Sequence, residues 1–83
     1  MERNKLENMA KVILEKVCGT DEIFEDYDLD LVEEGFIDSF SVLSIILEIE
    51  KSTGIRLQPT DINKNEIKTI NLFIDYLDTL NIK

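Results

Sequence analysis

A chain of 83 residues has room for one hydrophobic core, and at this size folding buries only about 60% of the surface the unfolded chain exposes, so modest stability is expected. Eighteen Asp and Glu against nine Lys and Arg leave a net charge of −9, which argues against nucleic acid as a partner and favours partners with basic patches. With no histidine and one cysteine, the chain offers no serine–histidine pair, no intrachain disulfide and no metal quartet.

The first predicted element is an amphipathic helix. From Leu6, apolar residues recur at Met9, Ala10, Ile13 and Val17, the i, i+3, i+4, i+7, i+11 spacing, and Gly19 suits its termination. The start Met1-Glu2-Arg3-Asn4-Lys5 lacks a following signal-peptide apolar core, and no run approaches the roughly 18–20 apolar residues of a membrane span. A cytoplasmic protein without membrane insertion is therefore expected. Cys18 reads as a small apolar residue near the end of this helix.

A long acidic loop follows. Asp21 to Asp38 holds nine of the eighteen acids and no Lys or Arg, while Ile23, Phe24, Tyr27, Leu31, Phe36 and Ile37 supply pegs to hold it over a bundle. Asp26, Asp28 and Asp30 occupy the first, third and fifth places of an EF-hand-like loop. The sixth place is Leu31, where the tight turn needs Gly, and the twelfth is Ile37, where a bidentate Glu is required, so no metal site is expected.

The second helix runs from about Ser39 to Thr53 and is closed by Gly54. Val42, Ile45, Ile46 and Ile49 form one complete stripe at i, i+3, i+4, i+7, and Phe40, Leu43 and Leu47 form a second, roughly a third of a turn or more away. Leu43 lies four residues after Ser39 on the same side. Two readings fit the second stripe: a central helix buried on most of its circumference, or an exposed strip recognised by a partner. Further on, Gln58-Pro59-Thr60-Asp61-Ile62 can open a short helix with Pro59 at its first position. Thr69 N-caps a last helix carrying Ile70, Phe73, Ile74 and Leu77, with Leu80 one turn on. The expected architecture is all-α: a four-helix bundle of three main helices and one short one, in a single domain spanning 1–83.

The segment Gly35-Phe36-Ile37-Asp38-Ser39-Phe40, at the start of the most apolar helix, is the most informative. A serine that does chemistry needs a positioned base and an oxyanion hole, and the Gly-x-Ser-x-Gly elbow is missing here, so Ser39 reads as a residue modified by another enzyme. A helix N-terminus also favours an anion such as a phosphodiester. The plainer reading is that Asp38-Ser39 is a capping signal, with either residue as the N-cap.

Taken together, the first amphipathic helix, the acidic loop with Asp28-Leu29, Glu34-Gly35, Asp38-Ser39-Phe40, Leu57 before Pro59-Thr60-Asp61, and Thr69-Ile70 resemble the acyl carrier protein family over nearly the whole chain. The resemblance implies that Ser39 is esterified from coenzyme A with 4'-phosphopantetheine by a Mg²⁺-dependent phosphopantetheinyl transferase, with Asp38 assisting recognition. The chain itself would be non-catalytic. The terminal thiol of the phosphopantetheine would carry acyl or aminoacyl groups as thioesters, loaded by an activating ligase and passed to synthases or acyltransferases that dock through basic patches. Phe40, Leu43, Leu47, Glu33, Glu34 and Glu50 are the expected partner-binding residues of a monomeric carrier. Asp-Ser-Phe in place of the Asp-Ser-Leu usual in fatty acid carriers, and a second helix whose only acids are Glu48 and Glu50, depart from the fatty acid carrier pattern. The Asp-Ser-Phe form is similar to D-alanyl carriers and stand-alone secondary-metabolite carriers, which rank ahead of a housekeeping fatty acid carrier. The alternative is an unmodified acidic helical interaction domain.

Overall fold

The computed structural model describes residues 2–82. Three α-helices, α1 (Arg3–Cys18), α2 (Ser39–Thr53) and α3 (Ile70–Thr79), are accompanied by two single 3-10 turns, Glu22–Glu25 and Lys64–Glu66. Among the described residues there is no strand.

Helix α1 packs against both α2 and α3. It begins at Arg3, one turn before the first apolar residue of its stripe, because polar residues extend a helix without leaving a hydrophobic signature. Arg3 in that added turn reaches Asp75 on α3 at 3.0 Å. Leu6, Ala10, Ile13 and Leu14 are buried, whereas Met9 and Val17 of the expected stripe are only partly so. Each remaining helix supplies its own apolar face, Val42, Ile45, Ile46 and Ile49 from α2 and Ile70, Phe73, Ile74 and Leu77 from α3. No polar or charged side chain is buried among the described residues, so the core carries no desolvation penalty of that kind.

Sequence chemistry accounts for the ends of the elements. Gly54 closes α2 with φ 77°, a left-handed conformation that a side chain disfavours, and its N–H reaches Glu50 O at 2.8 Å. Thr69 caps α3 by accepting the Leu72 N–H at 3.0 Å.

The expected fourth helix is a difference. Residues 58–61 form a turn, with the Asp61 N–H donating to Gln58 O at 2.9 Å and Asp61 Oδ2 accepting the Gln58 N–H at 2.8 Å. The pair closes a single turn, and no helix follows from Pro59. Helical conformation appears only at Lys64–Glu66, where Asn63 Oδ1 accepts the Glu66 N–H at 3.2 Å. Ile62 and Ile67 on either side are buried, so hydrophobic anchoring shapes this connection more than helix propensity does.

Candidate functional site

The acidic loop brings Ser39 to its place. Leu31, fully buried, donates its N–H to Lys68 O at 2.6 Å and accepts from Phe36 and Ile37 at 2.8 and 3.0 Å, which ties the loop to the segment before α3 and fixes the approach to α2. Asn71 adds a second tether, its N–H to Tyr27 O at 3.2 Å and its Nδ2 to Asp28 Oδ1 at 2.8 Å. The Tyr27 hydroxyl donates to Glu7 Oε2 of α1 at 2.7 Å, and this bond, then burial and the charge of Glu7, raise the tyrosine's pKa. Gly35 makes the turn between these anchors and the site, at φ 85°.

Of the three aspartates at EF-hand-like spacing, Asp26 and Asp30 serve the loop's own backbone, while Asp28 accepts from Asn71. Asp26 Oδ1 accepts the Asp28 N–H at 2.9 Å, and Asp30 Oδ1 accepts the N–H groups of Val32 and Glu33 at 3.1 and 2.9 Å. Short acidic side chains are good at this local bridging.

At the start of α2, the sequence left two candidates for the N-cap. Asp38 takes the role: its Oδ1 accepts the Ser41 N–H at 2.9 Å and the Ser41 hydroxyl at 3.1 Å. The Ser41 N–H, then the Ser41 hydroxyl and the Phe40 N–H, hold the Asp38 carboxyl below its ordinary range. Ser39 is thereby left as the first residue of the helix, exposed, with no hydrogen bond on its hydroxyl among the described residues. Ser41 was missed by sequence reasoning, although a serine three residues after an aspartate at a helix start is a recognisable local signal.

Beside Ser39 lies an open groove of about 390 Å³, lined by Ser39, Val42 and Leu43 from α2 and by Pro59, Ile62, Asn63 and Lys64 from the connection to α3. Mostly apolar, it falls within the ~300–1,000 Å³ of small-molecule clefts. Sequence spacing gave Leu43 as a neighbour of Ser39 but could not bring in residues 59–64, which are distant along the chain.

Phe40, Leu43 and Leu47 are 79%, 46% and 56% exposed. Glu33 and Glu34 are exposed in the loop, whereas Glu50 is half-buried and paired with Arg56 at 3.2 Å. Glu48, the other acid of α2, meets Lys16 at 3.5 Å and Lys51 at 3.6 Å. Both acids of α2 are therefore partly neutralised, whereas the nine acids of the loop have no cation partner among the described residues. Burial pushes the Cys18 thiol up, and its Sγ lies 3.8 Å from Phe36 O, so the chain's own sulfur stays protonated at neutral pH.

Comparison with known proteins gives a consistent result. The family described as "Phosphopantetheine attachment site" matches residues 10–77, a span that contains Ser39 and the groove. A D-alanyl carrier protein of Lactococcus lactis subsp. lactis (strain IL1403) is 42% identical over 59 residues, covering 71% of this chain and 75% of the relative. A D-alanyl carrier protein of Bacillus cereus (strain B4264) is 37% identical over 68 residues, covering 82% and 86%. The chain belongs to the phosphopantetheine-attachment family of carrier proteins, and its prosthetic group is a covalently attached 4'-phosphopantetheine.

Proposed function

We propose that, as a carrier of this family, the protein bears its prosthetic group on Ser39 and transports an aminoacyl cargo, D-alanine, between a loading ligase and an acceptor enzyme. The observation that carries the reading is the arrangement at the start of α2: an exposed hydroxyl free of hydrogen bonds, next to a carboxylate already committed to the cap. A serine so placed can be reached by another enzyme, and its ester phosphate would sit at a helix N-terminus, where backbone N–H groups and the helix dipole favour an anion. The residues present thus fit the group.

Each neighbour has a part in this reading. Ser39 Oγ supplies the ester oxygen. Asp38 holds the first turn in place and gives the transferase a fixed negative charge to recognise. Bound, the group supplies a thiol at the end of a flexible arm, on which cargo is held as a thioester. The protonated, half-buried Cys18 does not compete for that task. Phe40, Leu43 and Leu47 give the transferase and the loading enzyme an apolar strip to cover, while Glu33 and Glu34 speed the approach of basic surfaces. Such tethering raises the effective concentration at which successive enzymes meet the cargo. The reading also places the carrier in the cytoplasm, as a monomer and a single domain over 1–83.

For the cargo, the D-alanyl carriers are the support: two relatives of that name align over most of their length at 42% and 37% identity. Incubating the holo protein with ATP, D-alanine and a D-alanine-activating ligase, followed by intact-mass spectrometry, tests it. A D-alanyl increment on wild type, absent from Ser39→Ala, is expected. Loading by a fatty-acyl ligase with no D-alanyl transfer would overturn the cargo assignment while leaving the attachment site intact.

A further inference from the structure

Lys64 differs from the other cations among the described residues in its placement. Arg3, Lys16, Lys51 and Arg56 lie 3.0–3.6 Å from carboxylates, and Lys11 sits over the Phe24 ring at 5.4 Å from its centre. Like Lys5 and Lys68, the exposed Lys64 meets no carboxylate and no ring among the described residues. It is also the charged side chain among those lining the groove beside Ser39. In a chain of net charge −9, an unpaired cation at the rim of a mostly apolar groove is placed to act on a charge carried beside it.

This placement matters for any phosphate carried on Ser39. The Asp38 carboxylate directly precedes the serine, and its depressed pKa keeps it charged. Negative charge on that side and positive charge across the groove bias an anion in one direction, toward Lys64. The apolar walls, Val42, Leu43, Pro59 and Ile62, can then take the methylated stretch of the arm next to the phosphate.

We propose that Lys64 is a positioning residue: its ammonium draws the phosphodiester toward the groove, so that the arm rests there between encounters instead of lying over the acidic loop. The inference depends on attachment at Ser39. Its consequence is a carrier whose arm is partly sheltered and is released when a partner with its own basic patch competes for the phosphate. An exposed cation paired with one anion contributes little, so the bias is small and reversible, as a carrier requires.

The test uses the holo forms of wild type, Lys64→Gln and Lys64→Glu, each first checked by intact mass and by thermal melting. NMR contacts between the arm's geminal methyl groups and the methyls of Val42, Leu43 and Ile62 report seating, and the ³¹P shift reports the phosphate's surroundings. Wild type should show these contacts at low salt. Lys64→Gln should reduce their intensity by about two- to fivefold, Lys64→Glu should reduce it further, and added salt should lower only the wild-type value. Equal contacts in all three proteins, or none in wild type with the mass increment present, would overturn the role of Lys64 alone. A missing increment in wild type would overturn the attachment reading and this inference with it.

Discussion

The two apolar stripes of α2 are built from similar residues and meet opposite fates: Val42, Ile45, Ile46 and Ile49 are at most 8% exposed, whereas Phe40, Leu43 and Leu47 are exposed by 79%, 46% and 56%. Packing against α1 and the rest of the core accounts for the first stripe. For the second, folding supplies no partner, although each large apolar side chain left in water forgoes part of the roughly 1.5–3 kcal/mol that full burial would contribute. Single exposed leucines are ordinary, but three large apolar residues along the face that begins with Ser39 form a patch of the kind partners cover. One helix thus divides its hydrophobicity between stability and recognition, and substitutions can separate the two.

The largest effects should come from the buried stripe. Ile45→Ala and Ile49→Ala, both at positions with 0% exposure, should each cost about 2–5 kcal/mol in urea melts, a large part of what a domain this small has available. Ile46→Ala, at 7% exposure, should fall at the lower end of that range. A cost below about 1 kcal/mol at Ile49 would break the comparison from the core side.

Smaller changes in stability, within about 0.5 kcal/mol, are expected for Phe40→Ala, Leu43→Ala and Leu47→Ala. These variants should instead slow modification by the transferase, because they remove apolar contact area from the partner interface. The same purified proteins serve for both measurements. If the leucine variants melted as early as the isoleucine ones, the second stripe would belong to the core and recognition would have to reside in the loop.

The subtlest difference concerns the cap at the start of the helix that carries both stripes. Asp38 has a depressed pKa in the folded protein, so its contribution is fully present above the unfolded aspartate value and is lost as pH falls through the folded one. Asn caps a helix about as well as Asp but carries no titrating charge. Melts of wild type and Asp38→Asn across the acid range should therefore converge as pH falls below the ordinary aspartate range. A constant gap over that range would mean that the carboxylate's charge contributes nothing to the cap.

Much of this was legible in the sequence because it rests on local signals. The Val42–Ile49 periodicity, Gly54 as a stop, Thr69 as a cap and the Asp38-Ser39 helix start each depend on residues a few positions apart, and each has its counterpart in the structure. The second stripe could be seen but not assigned, since periodicity gives the angle between two faces and not which of them has a neighbour. The missing fourth helix shows a different limit: the Gln58–Asp61 turn and the burial of Ile62 outweigh Pro59 as a start signal. Lys64 was illegible beside Ser39, because only the folded connection brings it to the groove.

Attachment at Ser39 is the claim on which the rest depends, and intact-mass spectrometry after co-expression with a broad-specificity phosphopantetheinyl transferase tests it most directly. Wild type should gain one phosphopantetheine increment, and Ser39→Ala should gain none while keeping its helix content. An increment that survives in Ser39→Ala, or that never appears in wild type beside an active transferase, would contradict the account.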